Sequence, residues 1–140
     1  MVTPDSSIRV MKLLFLGPPE VLDRIRSKLP GWEVCLANDP EDVDALLPNA
    51  DAVLDAYMRV GFSRERLEVA GRLSVFVTAT TGFDHIDADF LEERSIPLLT
   101  LRDQQEFLKY ITPAAEHSWL LLMACARRLR GATEHVRDGQ

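Results

Sequence analysis

The sequence predicts an α/β fold: a parallel sheet of about five strands with flanking helices and one long C-terminal helix. Three observations predict it. Short, continuous apolar runs, the mark of strands buried on both faces, alternate with stretches of helical apolar spacing. The connections between them are short. The chain of 140 residues is the size of one ordinary domain, and its 46% hydrophobic and 27% charged residues are a globular balance. Five strands wound in this way suggest the flavodoxin-like order.

The elements follow in turn. Residues 1–10 (MVTPDSSIRV) read as a short, flexible polar tail, and Met11 is a candidate second start because regular structure begins directly after it. Lys12–Leu16 is a buried strand that ends at Gly17-Pro18-Pro19, with Pro19 near the first turn of a helix. In Glu20–Leu29, Val21, Leu22, Ile25 and Leu29 fall at helical spacing, and Pro30-Gly31 stops the helix. Trp32–Ala37 is a second strand, Asn38-Asp39-Pro40 a turn and cap, and Glu41–Leu47 a short helix. Asp51–Ala56 is the third strand, and Tyr57–Phe62 is a loop that carries Arg59 and Gly61. Ser63 is an N-cap for Arg64–Gly71, with Leu67 and Ala70 facing in. Leu73–Thr78 is the fourth strand, Asp87 caps a helix over Ala88–Arg94, and Ile96–Leu101 is the fifth strand. Gln104–Ile111 is an irregular or single-turn segment.

Residues 11–111 therefore form the α/β domain. Thr112-Pro113 opens the longest helix, which runs to about Arg130, with Pro at its first position. Gly131 ends or kinks it, and residues 132–140 read as a polar tail without a packing signal. From Trp119 to Ala126 (WLLLMACA) this helix is apolar on every side, whereas a helix at the edge of such a domain has one polar face. It needs a second partner: a subunit or a further domain, since the run is too short for a membrane span.

Composition narrows the function classes. A net charge of −6 argues against nucleic acid or an anionic membrane as partner. The N-terminus has no apolar signal region. The two cysteines, Cys35 and Cys125, sit in apolar runs without ligand spacing, and are read as buried free thiols of a reducing, cytoplasmic compartment.

The stretch Thr78–Asp87 (TATTGFDHID) holds the functional signal. A strand opening through a glycine loop onto a helix start gathers backbone N–H groups at the carboxyl edge of the sheet, where ligands bind. One reading is a plain connection with Gly82 at positive φ. Another is an anion or nucleotide site made by the amides near Thr81, Gly82 and Phe83. No GxGxxG or GxxxxGK[ST] occurs in the chain, so it carries no dinucleotide fingerprint of its own. His85 lies beside Asp84 and close to Asp87, but Asp-rich loops cap and turn more often than they bind metal, and no metal site is expected.

ATTGFDHID, a short strand after it, and then EFLKYITPAAEHSWLLLMACARRLR resemble the D-isomer-specific 2-hydroxyacid dehydrogenase family. That family carries a glycine loop of the type (S/T/V)G(V/F/T)D(N/H)ID and a long helix that begins with AEH. Upstream, ADAVLDAYMRVGFSRERLEVAGRLSVF matches as well, so the resemblance covers roughly Lys12 to Arg130. It implies two similar α/β domains, an outer one for substrate and an inner Rossmann domain for NAD or NADP. The AEH helix, residues 112–131 here, would cross between them and contribute to a homodimer. In the family, GxGxxG and the catalytic Arg, Glu and His follow that helix. This sequence ends at Gln140, and the expectation is a substrate-binding half with no catalytic residue, inactive alone, truncated before its Rossmann domain. His117 is then a helix-start residue rather than the catalytic histidine.

By the same resemblance Thr81 would touch the cofactor. The amides of Gly82 and Phe83, with the loop at Arg59 and Val60, would hold the carboxylate of a 2-hydroxy or 2-keto acid. The loop departs from the family's Arg-Ser or Thr pattern and reads DAYMRVG. Two rival classes remain. Asp55, at the end of the third strand, would be the acceptor in a receiver-type phospho-signalling domain, although Gly17-Pro18-Pro19 stands where an acidic Mg²⁺-binding pair is needed. A non-catalytic dimerisation module is the other.

Overall fold

The computed structural model describes residues 9–139. The chain divides after Asp103 into two compact units, ahead of the Ile111 boundary read from the sequence. Of the expected polar tail, residues 1–8 lie outside the described residues, as does Gln140.

The first unit is a five-stranded parallel sheet in the order β2-β1-β3-β4-β5. Its strands are β1 (Met11–Leu16), β2 (Trp32–Leu36), β3 (Ala52–Asp55), β4 (Val75–Thr78) and β5 (Leu98–Leu99). This is the flavodoxin-like order. The interior strand β1 pairs Leu13 with Val34 on one side and Ala52 on the other. Its side chains alternate between two cores, as a strand covered on both faces requires. Leu14 and Leu16 join Val53, Phe62, Phe76, Phe90 and Leu91 on one face. Leu13 and Phe15 join Val34 and Ala52 on the other, beneath Leu22, Ile25 and Leu29 of helix α1 (Leu22–Lys28) and the residue after it. Phe15, Phe62 and Phe76 are no more than 1% exposed, and each such burial contributes on the order of 2 kcal/mol. The rings of Phe62 and Phe76 meet edge to face with centroids 4.8 Å apart.

Close approach fixes Gly17 after β1: a β-carbon there would lie 2.3 Å from Cζ of the buried Phe15. The other helices of this unit are α2 (Pro40–Leu46), α3 (Arg64–Glu68) and α4 (Ala88–Glu93). Asp39 caps α2 by accepting from the Asp42 amide at 2.8 Å, and Asp87 caps α4 from the Phe90 amide at 2.9 Å. Ser63 precedes α3 in extended conformation but makes no side-chain cap bond. The fifth strand is shorter than the Ile96–Leu101 run suggested. Pro97 has no N–H to donate, and its carbonyl only accepts from Phe76 at 2.9 Å. Leu101 leaves the ladder to donate to Thr80 O.

A buried charge pins the amino edge of the sheet. Asp51 is 2% exposed, accepts from the Lys12 amide at 2.8 Å and pairs with Arg72 at 3.4 Å and with Arg9. A cavity of about 80 Å³ near this edge, lined by Lys12, Glu33, Cys35 and Ala50 among others, is far below the size of a ligand site.

The second unit holds α5 (Gln105–Leu108), α6 (Pro113–Ala126) and α7 (Leu129–Arg137). It corrects the sequence reading in three places. The long helix stops at Ala126 rather than about Arg130, because Arg128 turns left-handed at φ 46°. Gly131 lies inside α7 and breaks nothing. The supposed polar tail after residue 131 is helical to Arg137. Leu129, Ala132 and Val136 fall at helical spacing, and Arg130 pairs with Glu134 at 3.0 Å. Helix α6 carries its apolar side chains round the whole circumference, with Trp119 65% and Leu120 59% exposed. Cys125 on this helix is exposed and Cys35 half-buried, so neither is the fully buried thiol expected from its apolar run. Among the described residues no helix is long and apolar enough to cross a membrane.

Candidate functional site

Three loops converge at the carboxyl edge of the sheet: one after β3, one after β4 and one after β5. The loop after β3 is organised by Asp55, the last residue of that strand, which is fully buried. Its Oδ1 accepts from the amides of Tyr57 at 2.9 Å and Met58 at 3.2 Å, an Asx-type turn. Its Oδ2 accepts from His85 Nε2 at 2.7 Å. An ionised carboxylate only accepts, so the proton of this bond sits on His85 Nε2. Nδ1 of the same ring is buried and has no partner among the described residues.

Backbone bonds lace the same two loops together. The Phe62 amide donates to His85 O at 2.6 Å, and the Asp87 amide donates to Phe62 O at 2.9 Å, forming a parallel bridge between Phe62 and Ile86. Within the glycine loop, Thr78 and Thr80 hydroxyls lie 2.7 Å apart and Thr80 Oγ1 donates to Gly82 O at 2.7 Å. Behind it, Arg64 grips Glu93 through two bonds of 2.8 Å and reaches Asp87 at 3.8 Å. This pairing raises the Arg64 pKa and lowers that of Glu93, the side-chain hydrogen bond being the largest cause in each case.

The residues singled out in the sequence are placed as follows. Thr81 is exposed, and Gly82 and Phe83 are half-buried. The amides of Thr81, Gly82 and Phe83 donate to no protein acceptor among the described residues. Gly82 does not have the positive φ that the plain-turn reading required; the glycines that do are Gly31 and Gly139. A β-carbon at Gly82 would meet only Met58 Cε, at 3.6 Å. Arg59 is exposed, with its guanidinium 4.1 Å from the Tyr57 ring centroid. The Val60 side chain is 4% exposed and belongs to the core, so only its backbone is free to face a ligand.

Sequence reasoning missed two residues here, Arg102 and Met58, and gave a third, His85, no structural partner. Arg102, after β5, stacks over Phe83 at 4.9 Å and brings a second cation to the glycine loop. Met58 holds φ 54°, a left-handed conformation that costs a non-glycine residue about 1 kcal/mol or more. His85 was weighed as a metal ligand and is instead the partner of Asp55. Among the described residues no group of three or more His, Cys, Asp or Glu side chains converges on a common point.

The receiver reading fails on this geometry. A phospho-acceptor needs an exposed carboxylate oxygen, whereas Asp55 is buried and both its oxygens are engaged.

A family model for the D-isomer specific 2-hydroxyacid dehydrogenase catalytic domain matches residues 12–104. The chain belongs to this family. Among curated relatives of this chain is a glyoxylate reductase of Thermococcus onnurineus, 32% identical over 99 residues, covering 71% of this chain and 26% of the relative. A formate dehydrogenase of Pichia angusta is 25% identical over 116 residues, covering 78% of this chain and 31% of the relative. The chain thus spans about a quarter to a third of the curated relatives it matches. Among solved structures, a D-lactate dehydrogenase of Aquifex aeolicus complexed with NAD and lactic acid superposes with a TM-score of 0.75 at 22% identity, over 90% of this chain and 37% of that one. An NAD-dependent formate dehydrogenase of Staphylococcus aureus in complex with NAD gives 0.71 at 23% identity, over 93% of this chain and 43% of that one. These likenesses carry the fold.

Proposed function

We propose that this chain is the substrate-binding part of an NAD(P)-dependent oxidoreductase acting on the CH–OH group of a D-2-hydroxy acid. The observation that carries this reading is the row of amides at Thr81, Gly82 and Phe83, which donate to no acceptor among the described residues. A carboxylate takes such donors, and fixing the carboxylate orients C2 for hydride transfer. Arg59 is the cation that meets the same group from the loop after β3, with the Val60 backbone beside it. Arg102 adds charge from the side of Phe83.

The cofactor belongs largely elsewhere. The seven glycines include no GxG pair, so these residues do not form a dinucleotide site. What the chain offers toward NAD or NADP is one outer contact, the exposed Thr81 hydroxyl. No step of hydride transfer is assigned to its side chains. They bind and orient the acid, and the chain alone is inactive as a dehydrogenase. Helix α6, apolar on all sides and exposed, is proposed to form a homodimer contact. A purely non-catalytic dimerisation module would share that helix but would have no use for the amide row.

The test is an NMR titration of the 140-residue chain with glyoxylate, D-lactate and D-glycerate. The expected result is a shift of the Thr81, Gly82 and Phe83 amides at millimolar acid, with NADH left unoxidised. Absence of any shift at these amides, or saturable NADH turnover by this chain, overturns the proposal.

A further inference from the structure

We propose that Asp55 and His85 form a positioning clasp that sets the gap between the loop after β3 and the glycine loop, and so places Met58 against Gly82. The inference rests on the substrate-site reading for its purpose, but its geometry stands independently of it.

The argument begins with burial. Asp55 is fully buried and His85 is 11% exposed in its side chain. A carboxylate in such a place is costly unless every lone pair that matters is met. Asp55 is met by three donors from two different loops: the Tyr57 and Met58 amides at 2.9 and 3.2 Å, and His85 Nε2 at 2.7 Å. One side chain thus ends a strand, closes the turn after it and holds the neighbouring loop.

The turn it closes is strained. Met58 would relax out of its φ of 54° if its amide were not held. Held there, its terminal methyl lies 3.6 Å from the β-carbon position of Gly82. The next tie is backbone: the Phe62 amide to His85 O and the Asp87 amide to Phe62 O. The clasp therefore closes the open end of a ladder whose far end is already fixed at Phe62 and Ile86. Without the His85 bond, the backbone bridge would still join the loops at Phe62, and Asp55 Oδ1 would still meet the Tyr57 and Met58 amides. The carboxylate would then be free to turn, and the Tyr57–Met58 turn would lose its side-chain tie to the glycine loop. Asp55 and His85 touch no substrate in this scheme; they act through Met58, Gly82 and the amides beside them.

The clasp is tested by amide hydrogen exchange on the 140-residue chain, without ligand. His85→Ala is expected to speed exchange at Tyr57 and Met58 at least tenfold, while Val53 and Phe76 in the sheet keep their protection. His85→Gln, whose side-chain N–H₂ can replace Nε2 as donor, is expected to restore most of it. Unchanged exchange at Tyr57 and Met58, equal acceleration throughout the sheet, or no rescue by Gln overturns the clasp. Should His85→Ala fail to fold, the unmutated chain decides: a long-range ¹⁵N–¹H spectrum is expected to show a slowly exchanging proton on His85 Nε2. A ring that exchanges its protons as fast as a free histidine overturns it. None of these readouts depends on the acid titration, so failure of the clasp and failure of the substrate-site reading are separable.

Discussion

Met58 and Gly82 face each other across two loops, with the Met58 methyl 3.6 Å from the point where a β-carbon on Gly82 would sit. The distance is ordinary van der Waals contact, and Gly82 has no left-handed φ to preserve. Neither sterics inside the protein nor backbone conformation demands glycine there. What a side chain at this position would occupy is the space beside the free amides. Gly82→Ala is therefore expected to leave stability within about 1 kcal/mol, or raise it slightly through the unfolded state. The same change weakens the acid-induced shifts at Thr81 and Phe83. Thermal melting and the acid titration check the two halves. A loss of several degrees in Tm with binding unchanged would reverse the assignment.

The sheet was readable because strands buried on both faces leave continuous apolar runs, and Leu13 to Leu16 or Val53 to Leu54 need no partner to be recognised. Their parallel order followed from the short helical connections. The edge strand was overread because apolarity cannot show that Pro97 lacks a donor. Helix α7 was overlooked because only Leu129, Ala132 and Val136 are apolar in its run, although their spacing is helical. The glycine loop was legible as a motif, but its supports were not. Asp55 and His85 are 30 residues apart, and it takes the β3–β4 pairing of Asp55 with Thr78 and the Phe62–Ile86 bridge to bring their loops together. Arg102 likewise reaches Phe83 only through the turn after β5.

Asp51 should be the most sensitive polar residue of the sheet. It is 2% exposed and joins the Lys12 amide, Arg72 and Arg9. Asp51→Ala leaves the Lys12 strand amide without its acceptor and the part-exposed Arg72 without its partner, and an unmet buried donor costs about 1–3 kcal/mol. Urea denaturation is expected to show that loss with an unchanged m-value. A loss under 1 kcal/mol would mean that water replaces the carboxylate without cost.

Acid weakens the contact between α3 and α4. The folded-state pKa of Glu93 is lowered by its hydrogen bond to Arg64. A depressed carboxylate pKa gives stability that is present above the unfolded value and lost as pH falls through the folded one. The pair is on the surface and its contribution is small. Comparing Tm of the native chain with Glu93→Gln, the gap should be open at neutral pH and closed once pH drops below the usual carboxylate range. A gap that widens in acid would have the wrong sign for this pair.

Helix α6 makes the last prediction. A monomer that exposes Trp119, Leu120, Leu121 and Leu122 at 65, 59, 52 and 58% presents an apolar surface with no polar face to turn outward. In water such a surface is covered by a partner or aggregates. The proposed homodimer pairs α6 with its symmetry mate, so light scattering should give twice the 15.8 kDa chain mass at micromolar concentration. Leu121→Glu places a charge in that seam and should shift the protein to monomer. A native chain that scatters as a monomer over the same range would remove the dimer from the proposal and leave α6 to a different partner domain.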